Sequence, residues 1–106
     1  MTCEVVHSLL EQNQGIEKFV IRNNEITDED AVVFGKVISD ARGLVYLDLR
    51  HNMITSEGAI ILLKALRLNQ KLCDLLLAGN NIDFKILQEI KTVLASHKEA
   101  RPTSLQ

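Results

Sequence analysis

The chain repeats itself every 28 residues, and that period limits its fold more than any other feature. Residues 44–55, "LVYLDLRHNMIT", superpose on residues 72–83, "LCDLLLAGNNID", and on residues 16–27, "IEKFVIRNNEIT". The apolar positions coincide: Ile16, Leu44 and Leu72; Phe19, Leu47 and Leu75; Ile21, Leu49 and Leu77; Ile26, Ile54 and Ile82. Asn24, Asn52 and Asn80 align without a gap. The spacing of three then two suits a short strand whose alternate side chains face inward, followed by a turn.

The second half of each unit has a different period. Ala31, Ala59 and Leu87 coincide, as do Phe34, Leu62 and Ile90, then Val37, Ala65 and Val93, then Ile38, Leu66 and Leu94. Steps of three and four place these on one stripe of a helix. The register continues upstream, where Cys3, Val6, Leu9 and Leu10 fall on the same helical positions and Cys3 reads as a small core residue. Each unit is therefore a strand, an asparagine-marked turn and a returning helix. A buried turn leaves backbone groups in need of partners, and an Asn amide offers both donors and an acceptor. The three asparagines read as a structural ladder. Helices are expected at 28–41, 56–69 and 83–97, with Thr27, Asp28, Thr55, Ser56 and Asp83 as candidate N-caps.

The pattern LxxLxLxxNxI resembles the leucine-rich repeat family. The 28-residue period and the helical second half resemble its ribonuclease-inhibitor-like subclass. Residues 52–66, "NMITSEGAIILLKAL", come closest, with Gly58 where that subclass often has glycine; Asp30 and Ile86 occupy this place in the other units. The resemblance implies an α/β solenoid, a short horseshoe with parallel strands on the concave face and helices on the convex face. It divides the chain into a half repeat at 1–15, full repeats at 16–43, 44–71 and 72–97, and a tail or degenerate cap at 98–106. With only three full units behind a half unit, the chain is expected to be a piece of a longer array. Failing that, another chain would cover its sheet edges. Such repeats mostly work by binding proteins, which implies a non-catalytic protein-interaction module. The alternatives are a structural subunit of a cytoskeletal or ciliary assembly and a regulator of an enzyme or GTPase.

On that fold the strand residues between the frame leucines face outward in three rows. They are Lys18, Tyr46 and Asp74; Val20, Asp48 and Leu76; Arg22, Arg50 and Ala78. Tyr46, Arg22 and Arg50 are the natural anchors, since Tyr and Arg are enriched in interface hot spots. Nine positions fall short of a standard interface of roughly 20–30 residues a side, so loops at Asn23, His51 and Gly79, or further surfaces, must contribute.

Composition narrows the function classes. The 106 residues carry a formal charge of −2, which gives no general pull toward nucleic acid or an anionic membrane. Only two cysteines, Cys3 and Cys73, occur, far apart, which favours a reduced, intracellular setting, and an N-terminus too polar and acidic for a signal peptide favours cytoplasm or nucleus, with cytoplasm preferred. His7, His51 and His97 are scattered, and no nucleophile elbow, phosphate loop or HExxH pair is present. No cofactor or metal is expected.

Overall fold

The computed structural model describes residues 3–13, 15–40 and 43–100; the side chains of residues 3–7 and of Ala100 are outside that description, and so is the core place expected for Cys3. Among the described residues four helices alternate with three strands: α1 (Cys3–Gln12), β1 (Lys18–Val20), α2 (Asp28–Asp40), β2 (Tyr46–Asp48), α3 (Ser56–Leu68), β3 (Asp74–Leu76) and α4 (Phe84–Ala100). The strands form one parallel sheet in the order β1-β2-β3. Lys18 pairs with Tyr46 and Tyr46 with Asp74, so the 28-residue period of the sequence is the register of the sheet. The result is a small mixed α/β domain in which α2 packs between α1 and α3, and α3 against α4.

The frame residues make the core. Leu47, Leu49, Ile54, Phe34, Leu62 and Leu66 are buried, with Phe19, Ile16 and Ile82 packed half-buried around them. Alternation along each short strand sends every second side chain into this core, and the helical stripe meets it from the other side. Phe19 is less covered than Leu47 because β1 is an edge strand.

The asparagines behave as rungs, though unequally. Asn52 Oδ1 accepts from the N–H groups of Asn24 (2.8 Å) and Ile26 (3.0 Å). Its Nδ2 donates to the carbonyls of Ile21, Leu49 and Arg50. Asn80 repeats the pattern one unit on, accepting from Ile54 N–H and donating to Leu49 and Leu77. Asn24 is exposed and, among the described residues, its amide donates to the Arg22 carbonyl alone, at 2.6 Å. Beside the rungs the turns enter the left-handed region at one repeated position, with φ 57° at Asn23, 57° at His51 and 80° at Gly79.

The helix starts also couple neighbouring units. Thr55 holds the N-cap place of α3 without a capping bond from its own side chain. Asp28, one unit back, does the capping: Oδ1 accepts from the N–H of Thr55 (2.7 Å) and Gly58 (3.1 Å), and Oδ2 takes the Thr55 hydroxyl. Gly58 is the residue that lets this carboxylate in, since a Cβ there would lie 2.4 Å from Asp28 Oδ1. At α2 the cap runs in reverse, with Asp30 Oδ2 accepting from Thr27 N–H and hydroxyl. Asp83 caps α4 through Lys85 N–H, as expected. The expected helix 83–97 continues to Ala100. There His97 is buried, and its Nδ1–H donates to the Leu72 carbonyl (2.7 Å) instead of ending the helix. The remainder of the expected tail, 101–106, lies outside the described residues.

Candidate functional site

The parallel register brings six of the nine candidate residues, Lys18, Tyr46, Asp74, Val20, Asp48 and Leu76, onto one face of the sheet, because side chains of like parity in strands of matched register share a side; Arg22, Arg50 and Ala78 follow two residues past the strand ends. In the first row Lys18 is exposed and its Nζ stands 4.6 Å from the centroid of the half-buried Tyr46 ring, a cation–π contact. Asp74 is half-buried and bound by Lys98 Nζ at 3.0 Å. In the second row Val20 is 48% exposed, while Leu76 is half-buried. In the third row Arg22 and Ala78 are exposed and Arg50 is partly covered.

Asp48, at the centre, differs from its neighbours. Expected among the partner-facing residues, it is only 1% exposed. Its carboxylate is gripped by Arg50, with Nε 3.0 Å from Oδ1 and Nη2 2.8 Å from Oδ2, and Oδ1 also accepts from Arg50 N–H. Arg22 Nε lies 3.8 Å from Oδ2, close enough to feel the charge and too far to share its hydrogen bonds. The bonds from the Arg50 side chain, against the opposing effect of burial and with help from Arg50 N–H and the charges of Arg50 and Arg22, hold the Asp48 carboxyl below the usual carboxylate range. The same bond pushes Arg50 up. Asp48 therefore positions Arg50 and leaves the Arg22 guanidinium with donors to spare.

The face is cationic on an acidic chain. Lys18, Arg22, Arg50 and Lys98 stand against Asp48 and Asp74, whereas the whole chain carries −2. Lys98 escapes the repeat logic because it has no strand-row counterpart; it reaches Asp74 only because α4 runs past the length of α2 and α3. Past Leu76 the face opens into a groove between β3 and α4 of about 600 Å³. Its α4 wall also went unmarked in the sequence, where Leu87 and Leu94 read simply as core stripe. Of the loop residues expected to contribute, His51 and Gly79 pack directly against each other, a Cβ on Gly79 falling 2.2 Å from His51 Nδ1. Cys73, by contrast, is buried, with Sγ directed at the Lys71 carbonyl. No group of three His, Cys, Asp or Glu side chains among the described residues could hold a metal ion. No helix among them is long and apolar enough to cross a membrane.

Residues 43–63 match the family model described as Leucine Rich repeat. That segment contains β2, the Asn52 rung, the Asp28-capped helix start and Gly58. The fold is also that of two solved domains. One is described as leiomodin-1 actin-binding site 2, with a TM-score of 0.72 and 17% identity, covering 93% of this chain and 75% of that one. The other is the C-terminal domain of Caenorhabditis elegans tropomodulin, with a TM-score of 0.52 and 17% identity, covering 93% of this chain and 78% of that one. No curated protein matches the chain significantly in sequence.

Proposed function

We propose that the chain is a short leucine-rich-repeat solenoid of the ribonuclease-inhibitor-like kind, a non-catalytic intracellular module that binds a protein on its concave sheet face. The units are 16–43, 44–71 and 72–97 behind a half unit. The observation that carries this reading is the Arg22–Asp48–Arg50 cluster. Asp48 is buried and saturated by Arg50, so one guanidinium is fixed in place and a second has free donors beside an exposed Val20. A solvated face that only kept the chain soluble would need neither the fixed arginine nor the exposed apolar surface next to it. Preorganised Arg and Tyr side chains lose less freedom on binding than long mobile ones, which favours affinity. The partner contacts are Lys18, Val20, Arg22, Tyr46, Arg50, Asp74, Leu76 and Ala78, with Asp48 as their support.

The test is capture of partners from cell lysate with the intact chain and with Arg22→Glu/Lys18→Glu. The reading expects specific partners with the parent and their loss with the variant, at unchanged thermal stability. Equal capture by both would refute it.

A second reading is favoured by one finding, the TM-score of 0.72 to a domain described as an actin-binding site. On this reading the chain belongs to a cytoskeletal assembly and actin is its partner. Co-sedimentation with actin filaments tests it directly, and a chain that stays wholly in the supernatant at high filament concentration excludes it.

A further inference from the structure

The groove beside β3 adds a chemistry to that face. One wall is β3 itself, and the other is the side of α4 carrying Leu87, Lys91, Leu94, Ala95 and Lys98, a single helix face by its spacing. Toward β2, β3 turns the Asp74 N–H and the carbonyls of Leu76 and Ala78. The pleat therefore directs Leu75 N–H and C=O, and Leu77 N–H, to the groove side, as a row of pairing groups for an extended segment. The floor is apolar and the rim is basic, with Arg50 at one end and Lys91 and Lys98 along α4. Asp74 is the one carboxylate in the lining among the described residues, and Lys98 already holds it. Lys91 has no carboxylate partner among the described residues. Arg50 and Leu76 belong to both groove and sheet face, so the two form one continuous surface.

We propose that this surface binds an extended segment of a partner protein in which acidic residues alternate with large apolar ones. One carboxylate meets Arg22 beside Arg50, the neighbouring apolar side chain enters the groove over Leu76 and Leu94, and a second carboxylate reaches Lys91. The proposal rests on reading the sheet face as the partner surface. The chain's own residues 101–106 suit the groove poorly: they bring Arg101 to a basic rim, they have no acidic side chain, and Pro102 has no N–H for β3. Charge complementarity thus favours an acidic–apolar segment of a partner over residues 101–106 as the occupant.

The experiment is selection of random twelve-residue displayed peptides on the intact chain, followed by fluorescence anisotropy with the enriched peptide. The expected result is enrichment of Asp or Glu next to Leu, Ile or Phe, and binding that weakens with salt. Arg22→Glu and Lys91→Glu should each weaken it at least about tenfold, the scale of one charge-assisted hydrogen bond. Ala95→Trp, which fills the groove from an exposed helix position, should do the same while the circular dichroism and urea midpoint stay those of the parent. Absence of any binder, a consensus without acidic residues, or equal binding by all three variants would overturn the proposal. So would competition by polyglutamate or duplex DNA as effective as by the peptide, which would reduce the site to bare charge. If lysate partners are lost with Arg22→Glu/Lys18→Glu but no acidic–apolar consensus emerges, this proposal falls while the sheet-face reading stands. A deletion ending at Ala100 that binds the peptide at least about tenfold more tightly would instead make residues 101–106 the resident occupant and overturn the assignment.

Discussion

Replacing Asn52 by alanine should cost far more than the same change at Asn24, although the two sit at equivalent places in the repeat. Asn52 satisfies five backbone groups. Removing its amide does not orphan all of them. The Leu49 carbonyl keeps the donation from Asn80, the Arg50 carbonyl keeps Asn23 N–H, and Asn24 N–H is at the exposed rim where water can replace the bond. Two groups remain stranded, Ile26 N–H and the Ile21 carbonyl, both on residues 4% exposed. A buried polar group left unpaired costs about 1–3 kcal/mol, so the sum for two is about 2–6 kcal/mol. That is a large share of a native stability of about 5–15 kcal/mol. Asn80→Ala strands Ile54 N–H and the Leu77 carbonyl, on residues 0% and 5% exposed, but at a rung that is itself half-buried so that water can replace part of what is lost, and should cost about 1–3 kcal/mol. Asn24→Ala should stay within about 0.5 kcal/mol, as an exposed change that strands no buried group. Urea unfolding followed by circular dichroism reads the three as midpoint shifts at constant slope, with Asn52→Ala moving by about 1–3 M. Equal losses at the three positions, or an Asn52→Ala midpoint at the parent value, would refute the accounting.

Gly58→Ala should destabilise even though helix propensity alone favours alanine by about 0.5–1 kcal/mol. The added Cβ would meet Asp28 Oδ1 at 2.4 Å and Ile54 Cγ2 at 3.0 Å, so a net loss of about 1–3 kcal/mol is expected, and it should shrink in an Asp28→Ala background. Stability should be flat near neutral pH and fall in acid. For Asp28, burial works to raise the pKa, but the bonds from Thr55 and Gly58 outweigh it, and Asp48 is lowered by Arg50. Groups with a depressed folded pKa contribute stability above their unfolded value and lose it as pH falls through the folded one, so the midpoint should drop below about pH 4. Asp28→Asn should make that drop shallower, and an identical acid profile would count against the assignment.

What the residues disclosed, and what they withheld, follows the range of the forces involved. The 28-residue register, the inward rows and the rungs were legible because they are repeated, and repetition turns a weak local preference into a pattern. Asn52 and Asn80 could be read as ladder members, but not as unequal to Asn24, because the inequality comes from which turn lies behind each one. The cap on α3 was assigned to Thr55 or Ser56 by nearness in sequence, whereas Asp28 supplies it across the unit boundary, 27 residues away. The sheet face shows the same limit. Alternation placed Asp48 outward, yet it is 1% exposed, because Arg50 two residues on folds over it with both nitrogens. Lys98 and Lys91 were invisible for the opposite reason: they depart from the repeat, Lys91 standing where α3 has Leu63 and Lys98 lying in the overrun of α4. The frame is thus written by what recurs. What sets this face apart does not recur: a lone aspartate under an arginine, and a helix four residues longer than its neighbours. A mutational search for the partner surface should therefore begin at the positions where the three units disagree.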